Sequence, residues 1–187
     1  MGGVVSLTTR RDDGVVITAG VGSRGSLEAG IHAGRVSGNW HLALNANLIG
    51  FNERMENDEF LNRGITARAI YLGQNFETGI QVFIHSASSG IPLSMGLASP
   101  RREYDQASVA AALPFTWMIS DNAKFKLCFS HNTNLYEFRD PDDNWGPYYK
   151  NRSRVNEIEA SVSGHFISGW DFRVGLDASS HSIFNLS

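Results

Sequence analysis

The chain has 187 residues, of which 42% are hydrophobic and 19% are charged, and its formal net charge is -3 at pH 7. This composition excludes a disordered polar chain, and charges that occur singly exclude the basic surface that nucleic-acid binding requires. A single cysteine, Cys128, excludes an internal disulfide framework. The first residues lack the basic start and apolar core of a secretion signal, and no window approaches the ~18 apolar residues of a membrane helix.

The dominant pattern is an alternation of apolar and polar residues with a period of two, which predicts an all-β chain. It is clear where Trp40, Leu42 and Leu44 alternate with polar or small residues. We expect the apolar parity of the strands to carry no charge, with His131 as its main polar exception. Read in chain order, the alternation predicts nine strands, at about 14–22, 26–35, 40–48, 64–72, 76–85, 105–116, 124–136, 155–166 and 170–178.

Strand length and loop length favour a membrane barrel over a soluble sheet. Several predicted strands run for ~10 residues, which suits a tilted transmembrane strand, whereas soluble strands typically have about 5–6. Short and long connections also alternate, as they do in outer-membrane barrels, where short turns are periplasmic and long loops are extracellular. The short turns are predicted at about 35–39, 73–75, 117–123 and 167–169, and the long loops at about 50–62, 86–104 and 137–153.

Aromatic residues cluster at the strand ends. Aromatic rings favour the membrane–water interface, so such a cluster predicts an interfacial girdle. The residues next to the short turns are Trp40, Tyr71, Phe76, Phe115, Trp117, Phe125, Phe166 and Trp170. A second, looser band is predicted beside the long loops, from Phe51, Phe60, Tyr104, Tyr136 and Phe138.

Four segments, taken in order, resemble TonB-dependent outer-membrane receptors. Residues 2–10, Gly-Gly-Val-Val-Ser-Leu-Thr-Thr-Arg, are similar to the last strand of the receptors' plug domain, and residues 20–26 resemble their first barrel hairpin. Residues 89–93, Ser-Gly-Ile-Pro-Leu, and 99–105, with Pro100 and Arg101, are similar to loop segments of vitamin B12 and related receptors. The order of these weak motifs carries the resemblance.

The resemblance implies a fold, a location and a function. Residues 1–12 would be the last strand of the plug, and 13–187 the first nine meander strands of a 22-stranded antiparallel transmembrane barrel. The chain would then be a fragment of a longer receptor in the outer membrane of a Gram-negative bacterium, surrounded by outer-membrane lipid. Its function would be uptake of a scarce nutrient, an iron-siderophore or a corrinoid, driven by the TonB complex through the plug and TonB box. No enzymatic activity is implied.

Candidate binding residues lie in the long loops. Arginine and aromatic side chains are favoured in binding hot spots, so the candidates for contact with a small nutrient ligand are Arg101, Arg102, Tyr104, Trp145, Tyr148 and Tyr149. Oxygen ligands suit Ca²⁺, and some vitamin B12 receptors bind calcium in their outer loops. The candidate ligands for such an ion are Asp140, Asp142 and Asp143. No other cofactor is expected.

Other hypotheses remain open from the sequence. Gly20, Gly22 and Gly25 match the spacing of a dinucleotide-binding loop, but the residues that follow alternate as a strand, which favours a hairpin turn. Glu157 and Glu159 share one face, where a polar lumen wall is favoured over an acid/base pair. The rival folds are a soluble or surface β-sandwich or small barrel that binds carbohydrate or protein, and an outer-membrane porin.

Overall fold

The computed structural model describes residues 13–51, 57–91, 101–142, 148–165 and 169–186. Nine strands form one antiparallel sheet in which each strand pairs with the next along the chain. The strands are β1 (Gly14–Val21), β2 (Leu27–Ser37), β3 (Trp40–Phe51), β4 (Phe60–Leu72), β5 (Phe76–Gly90), β6 (Glu103–Ser120), β7 (Ala123–Arg139), β8 (Tyr148–His165) and β9 (Asp171–Asn185). This meander confirms the predicted all-β, antiparallel fold class.

All nine predicted strands are present, but the later ones extend further than predicted. β6 and β8 each contain 18 residues, and β7 contains 17. β7, β8 and β9 gain residues mainly at the long-loop end, whereas β6 gains most of its extra residues, 117–120, at the short-turn end. Both kinds of connection are therefore shorter than the sequence suggested. At the first hairpin a 3-10 turn at Ser23–Gly25 links β1 to β2, with Gly25 at φ 68°, which confirms a turn here in place of a cofactor loop.

The register divides the side chains into two faces. Trp40 pairs with Tyr71, Tyr71 with Thr78, and the same row continues through the strands that follow. We call the face that carries these residues the apolar face and the opposite one the polar face. Glu157 and Glu159 lie on the polar face, as predicted for a lumen wall. The row that defines the apolar face continues from Thr78 through Phe115, Leu127, Ala160 and Leu176.

The expectation of a charge-free apolar parity was wrong at the strand ends. Arg35 pairs with Leu42, and Asp105 with Ser88, so both lie on the apolar face. The added strand ends place further charges there, at Arg63, Glu103, Glu137, Arg139, Lys150, Arg152 and Arg154.

His131, the predicted polar exception, also lies on the apolar face. Its Nδ1 is 2.7 Å from Oδ1 of Asn156 and its Nε2 is 3.0 Å from Oγ1 of Thr133. Both partners lie on the same face, so both ring nitrogens of His131 have hydrogen-bond partners there.

Aromatic side chains beside the short turns of β3 to β6 meet on one face, as the predicted girdle requires, and their place at a membrane interface stays a prediction. Tyr71 contacts Trp40, with ring centroids 5.1 Å apart, and Phe76, at 5.8 Å. Phe76 is in turn 6.3 Å from Phe115. These rings form a continuous row across β3 to β6 on the apolar face, while Phe166 lies outside the described residues.

The predicted second aromatic band, beside the long loops, lies on the polar face. Phe51 and Phe60 stack on each other at 5.4 Å, and both lie on the polar face. Tyr104, Tyr136 and Phe138 also lie on the polar face. Aromatic residues therefore face opposite sides of the sheet at its two ends.

The sheet has no second layer over its apolar face within the described residues. Ile70, 3% exposed, is the one large apolar side chain buried in this part of the chain, and it lies on the polar face. A β-sandwich would need a second sheet packed on the apolar face. None of the helical segments described is long and apolar enough to cross a bilayer.

Candidate functional site

A buried ion pair fixes the long-loop ends of β6 and β7. Arg102, just before β6, donates from Nε to Oδ2 of Asp140, just after β7, at 2.7 Å. Asp140 is 1% exposed, and its Oδ1 accepts the backbone N–H of Asp142 at 3.2 Å. A carboxylate that is buried needs such partners, because an unpaired charge out of water is costly. The pair therefore holds two loop bases together.

Asn57 links a third loop base to this pair, although the sequence analysis did not select it. Its side-chain Nδ2 donates to the carbonyl oxygens of Ile91, at 2.9 Å, and Arg102, at 2.7 Å. Asn57 is 5% exposed and has φ 63°, a backbone conformation that asparagine tolerates better than most residues. The position of Asn57 just before a strand could have indicated a turn. Its hydrogen-bond partners could not be predicted, because the carbonyls of Ile91 and Arg102 are distant in sequence.

Arg101 forms a second, exposed ion pair. Its Nε donates to Oδ1 of Asp142 at 3.1 Å, and its Nη2 contacts the same oxygen. The hydrogen bond and the charge of Arg101 hold the pKa of the Asp142 carboxyl below its ordinary value, and the same contacts raise the pKa of Arg101. Arg101 could bind an anionic ligand only by exchanging this carboxylate for it.

An aromatic cluster lies on the polar face below these ion pairs. Tyr104 and Tyr136 stack with ring centroids 6.3 Å apart, and Phe138 pairs with both Tyr104 and Tyr149 across the ladders. The phenol of Tyr104 is half-buried and is available as a hydrogen-bond donor. We call these four residues, Tyr104, Tyr136, Phe138 and Tyr149, the tyrosine cluster.

Tyr148 lies on the opposite, apolar face, where it pairs with Arg139. Arg139 makes ion pairs with Asp105, with Glu137 at 3.4 Å and with Glu103 at 3.8 Å. Arg139 donates a hydrogen bond from Nη2 to Oδ2 of Asp105. Tyr148, Arg139 and Glu103 line a recess of about 660 Å³ outside the strand ends.

The six predicted ligand residues thus divide into separate groups. The structure brings Tyr104 and Tyr149 together in the tyrosine cluster, and it engages Arg101 and Arg102 in ion pairs with Asp142 and Asp140. Tyr148 is separated from these two tyrosines by the sheet, and it lines the recess together with Arg101. Trp145 lies outside the described residues. Whether any of the six binds a ligand stays a prediction.

The calcium site also stays a prediction. Asp140 and Asp142 accept hydrogen bonds from Arg102 and Arg101, and Asp143 lies outside the described residues. Among the side chains that the structure describes, no three His, Cys, Asp or Glu residues are close enough to hold a metal ion. A cation at this position would have to compete with two arginines.

The fold defines the class of structure: an antiparallel meander with a banded apolar face, as in the wall of an outer-membrane β-barrel. The chain is similar to the siderophore receptor PiuA from Acinetobacter baumannii, with a TM-score of 0.78 and 14% identity over 96% of this chain. It is also similar to BauA, the ferric preacinetobactin receptor from Acinetobacter baumannii, with a TM-score of 0.74 and 11% identity over 93% of this chain.

At these identities the comparison shows a shared fold. The chain spans 32% of the length of each receptor chain. No family model matches the sequence, and no curated protein matches it. The predicted plug strand at residues 1–12 lies outside the described residues, and the total of 22 barrel strands stays a prediction.

Proposed function

We propose that this chain forms wall strands of an outer-membrane receptor that takes up a small nutrient ligand in a Gram-negative bacterium. The observation that carries the proposal is the apolar band. On β3 the apolar face is uninterrupted from Trp40 to Leu48, which is eight residue steps. Eight steps of about 3.4 Å at a tilt of about 40° span about 21 Å, close to the ~25 Å apolar band of such barrels.

The band also shifts along the strands as tilted strands require. In the ladder row of Trp40, β5 contributes Thr78 and β9 contributes Leu176. The apolar side chains of β5 begin at Phe76, two residues before Thr78, and those of β9 begin at Phe172, four residues before Leu176. A band that stays level while the ladder rows slope across it fits a bilayer crossed by tilted strands.

A closed barrel would need more strands than the nine described. In the described sheet, β1 and β9 each have one unpaired edge. Bilayer hydrocarbon does not tolerate unpaired backbone groups, so we propose that further strands complete the barrel. The polar face then lines the lumen, and the long-loop end is extracellular.

The tyrosine cluster supports binding of a small ligand at the extracellular end of the lumen. Aromatic rings with polar tips beside paired arginines are typical of sites that recognise small polar molecules. The two similar structures are siderophore receptors, which favours a ferric chelate over a corrinoid as the ligand class. The proposal includes uptake driven by the TonB complex, because the sequence resemblance to TonB-dependent receptors implies that energy source.

Adjacent tyrosines on opposite faces provide a matched test. The full-length gene product, purified from outer membranes, would be titrated with ferric siderophores of several classes and with vitamin B12, and binding followed by tryptophan fluorescence. We expect a ferric chelate to bind, and Tyr149→Ala to weaken it about tenfold, which corresponds to about 1.4 kcal/mol. Tyr148→Ala should leave affinity unchanged. Absence of the protein from the outer membrane, or equal effects of the two substitutions, would contradict the proposal.

A further inference from the structure

A groove crosses the apolar face between two rows of side chains at the long-loop side of the band. One row runs from Ile17 on β1 to Ile84 on β5, and the other from Ala19 to Ser86. The groove encloses about 590 Å³. Its floor is the backbone between the rows.

Side-chain size explains the groove. Ala19, Ala29 and Ala46 are short, while the isoleucines and Leu48 rise around them and form its walls. Across the five strands, at about 4.8 Å each, the groove is about 19 Å long. Its side-chain lining is apolar except at one end, where Arg63 and Ser86 lie side by side. A long, narrow, apolar groove of this kind fits a hydrocarbon chain.

The groove slopes from the interior of the band to its polar edge. On β1, Ile17 and Ala19 lie among the apolar residues Val15 and Val21. On β5, Ser86 is the first polar residue beyond the band, which ends at Ile84. The apolar end therefore lies at hydrocarbon depth, and the end at Arg63 lies at the level of the extracellular headgroups.

Arg63 is an exposed cation at that end. Within the described residues it makes no ion pair or hydrogen bond, and its cross-strand neighbours on this face are Leu48 and Ser86. A guanidinium presents a planar set of donors that matches a phosphate in two-point contact. Its position, facing the lipid at headgroup level, makes a lipid phosphate its natural counter-ion.

We propose that the groove binds one phosphate-bearing lipid of the outer leaflet, with an acyl chain between the two rows and the phosphate on Arg63. This inference rests on the proposed outer-membrane location. It adds a specific lipid site to a wall that otherwise contacts lipid without selection.

The test uses the full-length gene product, extracted from outer membranes in mild detergent and weighed intact by native mass spectrometry. We expect one retained phosphate-bearing lipid on the native protein. Arg63→Gln and Ala46→Phe, which remove the cation and fill the groove, should each lower the lipid-bound fraction at least fivefold. The matched controls are Arg35→Gln, an exposed arginine at the other end of the band, and Ala67→Phe, one row below the groove. Both should retain the lipid.

The outcomes separate the two proposals. If the protein is in the outer membrane but carries no phosphate-bearing lipid, or if controls and groove variants lose it equally, the lipid site is refuted and the receptor proposal stands. A retained second copy of the chain, or a lipid without phosphate, refutes the site in the same way. If cell fractionation places the protein outside the outer membrane, both proposals fail.

Discussion

Replacing Asp140 by alanine should loosen the loop bases around it, because the substitution leaves the guanidinium of Arg102 without its partner. The side chain of Arg102 is 20% exposed and that of Asp140 is 2% exposed, so the ion pair is largely shielded from water. Breaking a buried ion pair costs about 3–5 kcal/mol, and the partial exposure of Arg102 places this one at about 3 kcal/mol. The same change also removes the acceptor for the backbone N–H of Asp142. Local opening at the ends of β6 and β7 should therefore become on the order of a hundredfold more frequent.

Hydrogen–deuterium exchange of the full-length protein measures this opening directly. Peptides that cover residues 101–105 and 138–142 should lose protection in Asp140→Ala, while peptides from the middle of β3 should keep it. Asp142→Ala is the control, since its partner Arg101 is 65% exposed and exposed pairs contribute little. If both variants exchange alike, burial of the Arg102–Asp140 pair is not what fixes the loop bases.

Two further predictions concern charge. Arg101 depresses the pKa of Asp142, so the small stabilisation from this exposed pair is present above the ordinary carboxyl pKa of about 3.9 and is lost as pH falls through the depressed value. An NMR titration should show the pKa of Asp142 rise in Arg101→Gln, and an unchanged pKa would contradict the assignment. Val82→Arg, on the apolar face within the band, should lower the free energy of unfolding from lipid vesicles by about 2–4 kcal/mol, whereas Gln81→Arg on the polar face should be tolerated. If urea titrations gave the same loss of unfolding free energy for both variants, the two faces would have the same surroundings and the prediction would be wrong.

The period-two pattern was sufficient to predict every strand but not where the strands end. In the sequence, Glu137, Phe138 and Arg139 look like a break, because the charges occupy the parity that had been apolar since Phe125. The structure continues β7 through them, with Glu137 and Arg139 paired to acidic and basic neighbours. In the proposed membrane barrel, the outward face meets water beyond the lipid, which explains why the polarity of the two parities inverts while the strand continues.

The unexpected length of the strands also explains why the sequence predicted only part of the candidate site. Tyr148 and Tyr149 were selected together as loop residues, because the loop was expected to extend to residue 153. Once β8 begins at Tyr148, alternation sends the two rings to opposite faces, and Tyr149 alone joins the tyrosine cluster. Asn57 could not have been selected, since the carbonyls of Ile91 and Arg102 reach it only after the sheet has formed.

The two ends of the sheet use aromatic residues in opposite ways. At the short-turn end, Trp40 and Phe76 lie on the apolar face, where amphipathic rings would anchor the wall of the proposed barrel at the lipid–water boundary. At the long-loop end, Tyr104 and Tyr136 face inward, and charges such as Arg139 take the outward positions. A wall needing only anchorage would place rings outward at both ends. In the proposed barrel, rings that face the lumen at this end are the ones that a ligand entering from the loop side would meet, which agrees with the proposed receptor function.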